Sequence, residues 1–175
     1  MADNVPQPQL DLLLTDAVAT EALGAALAHA CPADLRQSRV LYLTGELGAG
    51  KTTCARSLLR ALGVAGLIRS PTYTLVEAYE TPSLTCVHVD LYRLHGPADV
   101  DELGLRDYLD APCLLLVEWP EKGGAALPAP DLALALTYRG ESRGAGLRVC
   151  SPVGRQWLDI LVRDTSLTPY VSNLT

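Results

Sequence analysis

Gly45-Glu46-Leu47-Gly48-Ala49-Gly50-Lys51-Thr52-Thr53 follows the apolar run Val40-Leu41-Tyr42-Leu43-Thr44 and precedes a helix-like segment, Cys54 to Leu62. The spacing is G-x-x-x-x-G-K-[ST], a phosphate-binding loop pattern, in the strand–loop–helix context that such a loop needs. Glycines let the backbone turn with its N–H groups inward, where they and a helix N-terminus can hold an anion. Lys51 is one of only two lysines in the chain, and its ammonium would meet the β- and γ-phosphates of a nucleotide. The Thr52 hydroxyl is a candidate Mg²⁺ ligand, with Thr53 beside it. The fold this predicts is an α/β P-loop NTPase fold, three layers around a mixed, mainly parallel central sheet.

A second stretch supports that reading. Cys113-Leu114-Leu115-Leu116-Val117-Glu118 places an unbroken apolar run before an acid. Such a run reads as a strand buried on both faces, as parallel strands usually are. A carboxylate at its C-terminal end stands where phosphate-loop folds carry an acid for the metal. Asp90, in His88-Val89-Asp90-Leu91-Tyr92-Arg93, is the competing candidate, as a metal-side or water-orienting carboxylate. Glu118 is favoured because its strand is the more continuous. A strand-end ion pair is the plainer alternative for Asp90, with Arg93 pairing a neighbouring carboxylate. His88 alternates with Asp90 on one strand face and carries no role by sequence. Trp119 follows Glu118 as a lid or as packing.

Composition bounds the function. The chain has 175 residues, 49% of them hydrophobic, and a mean hydropathy of +0.17. One globular domain is expected, over residues 15–163, between an N-terminal tail (1–14) and a frayed C-terminal tail (164–175). No stretch reaches the roughly 18 apolar residues of a membrane span. The first nine residues do not read as a secretion signal. Five cysteines (Cys31, Cys54, Cys86, Cys113, Cys150) form no C-x-x-C pair or metal-type spacing. A scattered odd set fits a reducing compartment, so the cytoplasm is expected. Net charge is −6 and no Lys/Arg run occurs, a poor basis for gripping a nucleic-acid backbone.

The remaining elements follow from periodicity. Residues Asp16 to His29 read as a helix with Val18, Leu23, Ala26 and Leu27 on one face; Thr20 is a minor candidate for nucleotide contact. Gly63 would close the helix after the loop. Ser70 to Tyr79 begins as a turn and becomes a strand, Thr81-Pro82-Ser83 turns, and Leu84 to Leu91 returns as an antiparallel partner. The hydroxyls of Ser70 to Thr74 suit either a switch segment or an ordinary turn. Asp99 to Leu109 reads as a short helix and a further turn. Strands are expected at Asp131 to Tyr138 and Leu147 to Cys150, and a last helix from about Val153 carries Trp157, Leu158 and Leu161.

Four segments in this order, GELGAGKTT (45–53), SPTYTLVEAY (70–79), HVDLYRL (88–94) and LLLVEWPE (114–121), resemble the bacterial tRNA threonylcarbamoyladenosine biosynthesis ATPase family of the TsaE (YjeE) type. DVDELGLRDYL (99–109) is similar to the family's acidic segment. The similarity spans about residues 16–149. Cys54 stands where the family often has Phe, a packing difference in a chain without Phe. The resemblance implies a small ATPase that binds ATP and Mg²⁺. Its partners would be the threonylcarbamoyl-transferase proteins of the TsaD and TsaB type. The product would be a modified tRNA adenosine beside the anticodon, with tRNA met only through that complex and no membrane involved. By resemblance, Lys51 and Thr52 serve phosphate and Mg²⁺, Glu118 serves Mg²⁺, and Asp90 and Trp119 serve activity. Thr72 and Thr74 match a switch-like segment, and Thr20 and Arg143 match positions touching the nucleotide.

Two other classes stay open from the residues alone. A small-molecule kinase would need an acceptor pocket and usually an arginine-bearing lid, for which Arg139 to Arg143 is a thin candidate. A nucleotide-gated switch would bind ATP only to stabilise a docking surface.

Overall fold

The computed structural model describes residues 9–33 and 37–172. In chain order the strands are β1 (Leu10–Leu14), β2 (Arg39–Gly45), β3 (Val76–Glu80), β4 (Thr85–Asp90), β5 (Cys113–Glu118), β6 (Leu132–Arg139) and β7 (Ser142–Val149). The helices are α1 (Ala17–Ala30), α2 (Lys51–Ala61), α3 (Pro97–Asp101), α4 (Leu105–Leu109) and α5 (Pro152–Leu161). One sheet joins the strands in the order β1-β7-β6-β2-β5-β4-β3. Four neighbours, β6, β2, β5 and β4, run parallel. The pairs β1–β7, β6–β7 and β3–β4 are antiparallel, so the sheet is mixed as the short β3–β4 connection requires.

Parallel strands covered on both faces need apolar residues at every position. β5 meets this in its first five residues, Cys113 to Val117, and its terminal acid Glu118 is buried with them. On β4 and β5 the alternation sorts side chains between two cores. Cys86, Leu114 and Leu116 join the core under α1, α2 and α5. Val87, Val89, Leu115 and Val117 join a second core with Val100 and Leu105 of α3 and α4. His88, Asp90 and Glu118 keep step with Cys86, Leu114 and Leu116 in the register, so they face the α2 side. The strand pattern therefore aims both candidate acids at the helix that follows the glycine-rich loop.

Two contacts lock that helical layer. A Cβ on Gly24 of α1 would stand 2.3 Å from the Cys54 carbonyl oxygen of α2, so only glycine permits this backbone approach. Trp157 of α5 is fully buried, and its indole N–H donates to Leu27 O at 2.9 Å. Truncating a buried tryptophan costs about 3–5 kcal/mol.

Several expectations change. Val18 is 67% exposed, whereas Ala19, Leu23, Ala26 and Leu27 are buried. Five residues separate Val18 from Leu23, which is about 140° around a helix, so the two cannot share a face. The segment assigned to an N-terminal tail contains β1, paired along its length with β7; residues 1–8 lie outside the described residues. β7 begins at Ser142 instead of Leu147, because Gly144, Ala145 and Gly146 give no hydrophobic signal. The end expected to fray folds into a 3-10 helix, Thr165–Tyr170, with Leu167 buried. Beyond it Val171 bridges to Leu12, and the Ser172 N–H donates to Asp11 O at 3.0 Å. Among the described residues no helix is long and apolar enough to cross a membrane.

Candidate functional site

β2 lies between β5 and β6 and is parallel to both, which puts its C-terminal end in mid-sheet. Crevices beyond the carboxyl ends of such strands are where open α/β sheets bind ligands. The loop from Gly45 leaves here, and α2 begins at Lys51. Gly50 precedes it with φ +108, a backbone that other residues rarely adopt, and no side chain caps the helix. The first amides of an α-helix have no partner within it. At α2 they border a cavity of about 170 Å³ whose walls include Gly48, Lys51, Thr52, Asp90, Glu118 and Trp119.

Lys51 is only 4% exposed, and its Nζ donates to Gly45 O at 2.6 Å and Glu46 O at 2.8 Å. The same Nζ lies 4.1 Å from the centre of the Trp119 ring. Burial pushes the Lys51 ammonium below the ordinary lysine range, while Glu118, Asp90 and Glu121 pull it back up. Trp119 holds this place at a cost in backbone strain, with φ +59 in the left-handed region. Its ring also lies against Tyr92, centroids 4.9 Å apart at 47°.

Glu118 and Asp90 are register partners at the ends of β5 and β4, and both are nearly fully buried. Thr52 Oγ1 donates to Glu118 Oε2 at 2.9 Å, and Glu118 Oε1 lies 2.9 Å from His88 Nε2. Asp90 accepts from Thr72 Oγ1 and from the Tyr92 N–H, each at 2.9 Å. Both acids thus occupy one cavity, each held from two sides. Lys51 and the helix amides suit an anion; the hydroxyl and carboxylate oxygens suit a hard divalent cation. Among the described residues no group of three or more His, Cys, Asp or Glu is arranged to hold a metal unaided.

A second cavity of about 170 Å³ lies on the other side of the loop and shares Gly48, Gly50 and Thr53 with the first. Thr20, Ala49 and Arg143 line it. Thr20 Oγ1 donates to Asp16 O at 3.3 Å, and the Arg143 guanidinium lies 4.1 Å from the Tyr138 ring centre. Tyr138 in turn donates to Leu47 O at 2.8 Å, tying the β6 end to the loop. Glu46 and Thr74 are exposed, and neither lines either cavity. Thr72 therefore separates from Thr74: the first reaches Asp90 and the second does not.

Three sequence readings are revised here. Arg93 lies 4.3 Å over the exposed Tyr73 ring, and among the described residues it pairs with no carboxylate. The lid candidate Arg139 to Arg143 is a tight hairpin turn, with Arg139 and Ser142 already paired across it. His88, given no role, is in hydrogen-bond contact with Glu118; its alternation with Asp90 was the available signal.

The chain matches the family model for threonylcarbamoyl adenosine biosynthesis protein TsaE over residues 14–145. It is 40% identical over 116 residues to a tRNA threonylcarbamoyladenosine biosynthesis protein TsaE from Haemophilus influenzae, covering 66% of this chain and 73% of the relative. A protein of the same name from Bacillus subtilis is 33% identical over 116 residues, 66% of this chain and 72% of that one. The crystal structure of Bacillus subtilis YdiB superposes with a TM-score of 0.72 at 26% identity, covering 88% of this chain and 94% of that chain. The family model spans the glycine-rich loop, both buried acids and the switch-like segment together, and the chain belongs to the TsaE family.

Proposed function

We propose that this chain is a Mg²⁺-dependent ATPase of the P-loop type that acts in threonylcarbamoyl modification of tRNA. The observation that carries the reading is the uncapped start of α2, with Lys51 beside it and the Thr52–Glu118 hydrogen bond across the cavity. Backbone amides and a buried ammonium supply what a polyphosphate needs. The donor set also fits Mg²⁺, which binds through one or two carboxylates plus substrate phosphates and keeps several waters. Thr52 and Glu118 would hold it, with Asp90 alongside. Bound there, the ion would neutralise charge on the transferring phosphoryl group.

The chain's own groups divide the remaining work. Lys51 exchanges its two carbonyl acceptors for phosphate oxygens. Asp90, held by Thr72 and Tyr92, faces the cavity with a carboxylate able to orient an attacking water. Trp119 covers the ammonium and sets how much water reaches it. Thr20 and Arg143 border the rest of the nucleotide. The protein would act in the cytoplasm with threonylcarbamoyl-transferase partners of the TsaD and TsaB type, which hold the tRNA and the adenosine next to its anticodon. A net charge of −6 accords with tRNA being held by another chain.

The test is ATP hydrolysis by the purified protein, alone and with those partners, with products resolved. ADP and phosphate released faster in the partners' presence is the expected result. Rates indifferent to the partners, with phosphate passing to a small acceptor, would replace this reading with a kinase.

A further inference from the structure

We propose that His88 is a positioning residue that fixes the Glu118 carboxylate for its cation, an inference that rests on the reading of Glu118 as a metal-side acid. His88 is 0% exposed; on its sheet face Cys86, Leu114 and Leu116 are buried and apolar, while Asp90, Glu118 and its β3 register partner Glu77 are the acids nearby. A polar ring in such surroundings is costly unless its hydrogen bond is made. Its Nε2 makes one contact, to Glu118 Oε1 at 2.9 Å. Its Nδ1 is buried without a hydrogen-bond partner among the described residues.

That asymmetry assigns the tautomer. A proton on Nδ1 would be a buried donor with no acceptor, the rarer and costlier state; a bare Nδ1 leaves only an acceptor unused. The proton therefore sits on Nε2 and is donated to Glu118. Thr52 Oγ1 meets the other oxygen, Oε2, at 2.9 Å. With Oε1 tied to the ring, the carboxylate cannot rotate, and Oε2 is the oxygen presented beside the Thr52 hydroxyl. Groups that orient a metal-binding carboxylate in this way typically change metal affinity 10–100-fold when removed.

The test measures Mn²⁺ binding by electron paramagnetic resonance in the presence of ADP, for His88→Gln, His88→Asn, His88→Leu and Glu118→Gln. A glutamine amide reaches the place of Nε2, whereas an asparagine amide stops near that of Nδ1. His88→Asn and His88→Leu should weaken Mn²⁺ about tenfold or more, and His88→Gln should stay within about threefold of the parent. Metal-free ADP affinity should move less than Mn²⁺ affinity in each His88 variant. If His88→Leu does not fold, the Gln and Asn pair decides. Parent-like Mn²⁺ binding by His88→Asn, with Glu118→Gln impaired, would make His88 packing alone and leave the metal reading standing. Equal losses in His88→Gln and His88→Asn would overturn the hydrogen-bond role. Parent-like Mn²⁺ binding by Glu118→Gln would overturn the metal reading, and this inference with it.

Discussion

α1 and α5 begin very differently from α2. At α1 the Asp16 carboxylate accepts from the Ala19 N–H at 2.8 Å, and at α5 the Ser151 hydroxyl accepts from the Gly154 N–H at 3.0 Å. Pro152 removes a further amide from the start of α5. α2 has neither device; its cap is Gly50, with no side chain to offer. Two helix ends are closed by the protein itself. The third keeps its amides and positive end for something else. On the proposed function the capped ends of α1 and α5 serve stability and the open end of α2 serves the ligand. The short helices α3 and α4 also start on uncapped glycines, so it is the cavity beside α2 that sets it apart.

That contrast can be broken from either side. Gly50→Ala is the largest expected effect. It forces a side chain onto φ +108 and brings a Cβ to 3.3 Å from Thr20 Cγ2. The strain should cost about 1–2 kcal/mol of stability. Displacing the amides should lower Mg²⁺–ATP affinity by about 30- to 150-fold, the two or three hydrogen bonds lost being worth ~1 kcal/mol each. Denaturant unfolding and calorimetric titration would read the two parts separately.

Ser151→Ala should do the reverse. Loss of a serine cap costs about 1 kcal/mol, a fall in Tm of about 2–4 °C for a chain of this size. ATP affinity should stay unchanged, because Ser151 lines neither cavity beside the loop. A drop in affinity matching that at Gly50 would erase the distinction between the helix ends.

A smaller effect concerns pH. Burial lowers the Lys51 ammonium below the ordinary lysine range, so the ligand-free protein loses this charge earlier than an exposed lysine would as pH rises. On the proposed reading, attraction for phosphate therefore declines as pH rises, earlier than an exposed lysine would allow. ADP affinity measured at constant ionic strength should fall on the alkaline side, and a flat profile would remove Lys51 from the phosphate contact. The buried thiols bear on the same layer: burial pushes Cys54 and Cys86 up to about 12, so both stay protonated. Alkylation of the folded protein should reach exposed Cys150 first, as peptide mapping would show.

Much of this was legible in the residues because the decisive signals are local. The loop's spacing is contiguous, and Cys113 to Glu118 announces a buried strand by composition alone. Nothing local marks β7, where Gly144 and Gly146 occupy one face and leave only Ala145 and Leu147 to signal burial on the other. β1 and the Thr165–Tyr170 segment are held by pairing with distant strands or by burial, which no short window contains. The site divides likewise. Lys51, Thr52, Glu118 and Asp90 carry their chemistry in their residue types. Contact between His88 and Glu118, thirty residues apart, exists only through the β4–β5 register. Thr72 and Thr74 look alike in sequence, and only the turn into β3 decides that Thr72 meets Asp90.

The most direct test of the account is a calorimetric titration of Mg²⁺–ATP into the parent protein and into Lys51→Ala. The open end of α2 and the Lys51 ammonium together predict saturable one-to-one binding by the parent. In the variant it should weaken by about a hundredfold, since charge-assisted hydrogen bonds contribute ~1.5–3 kcal/mol each. Equal affinity in the two proteins would contradict the assignment of this helix end as the phosphate site.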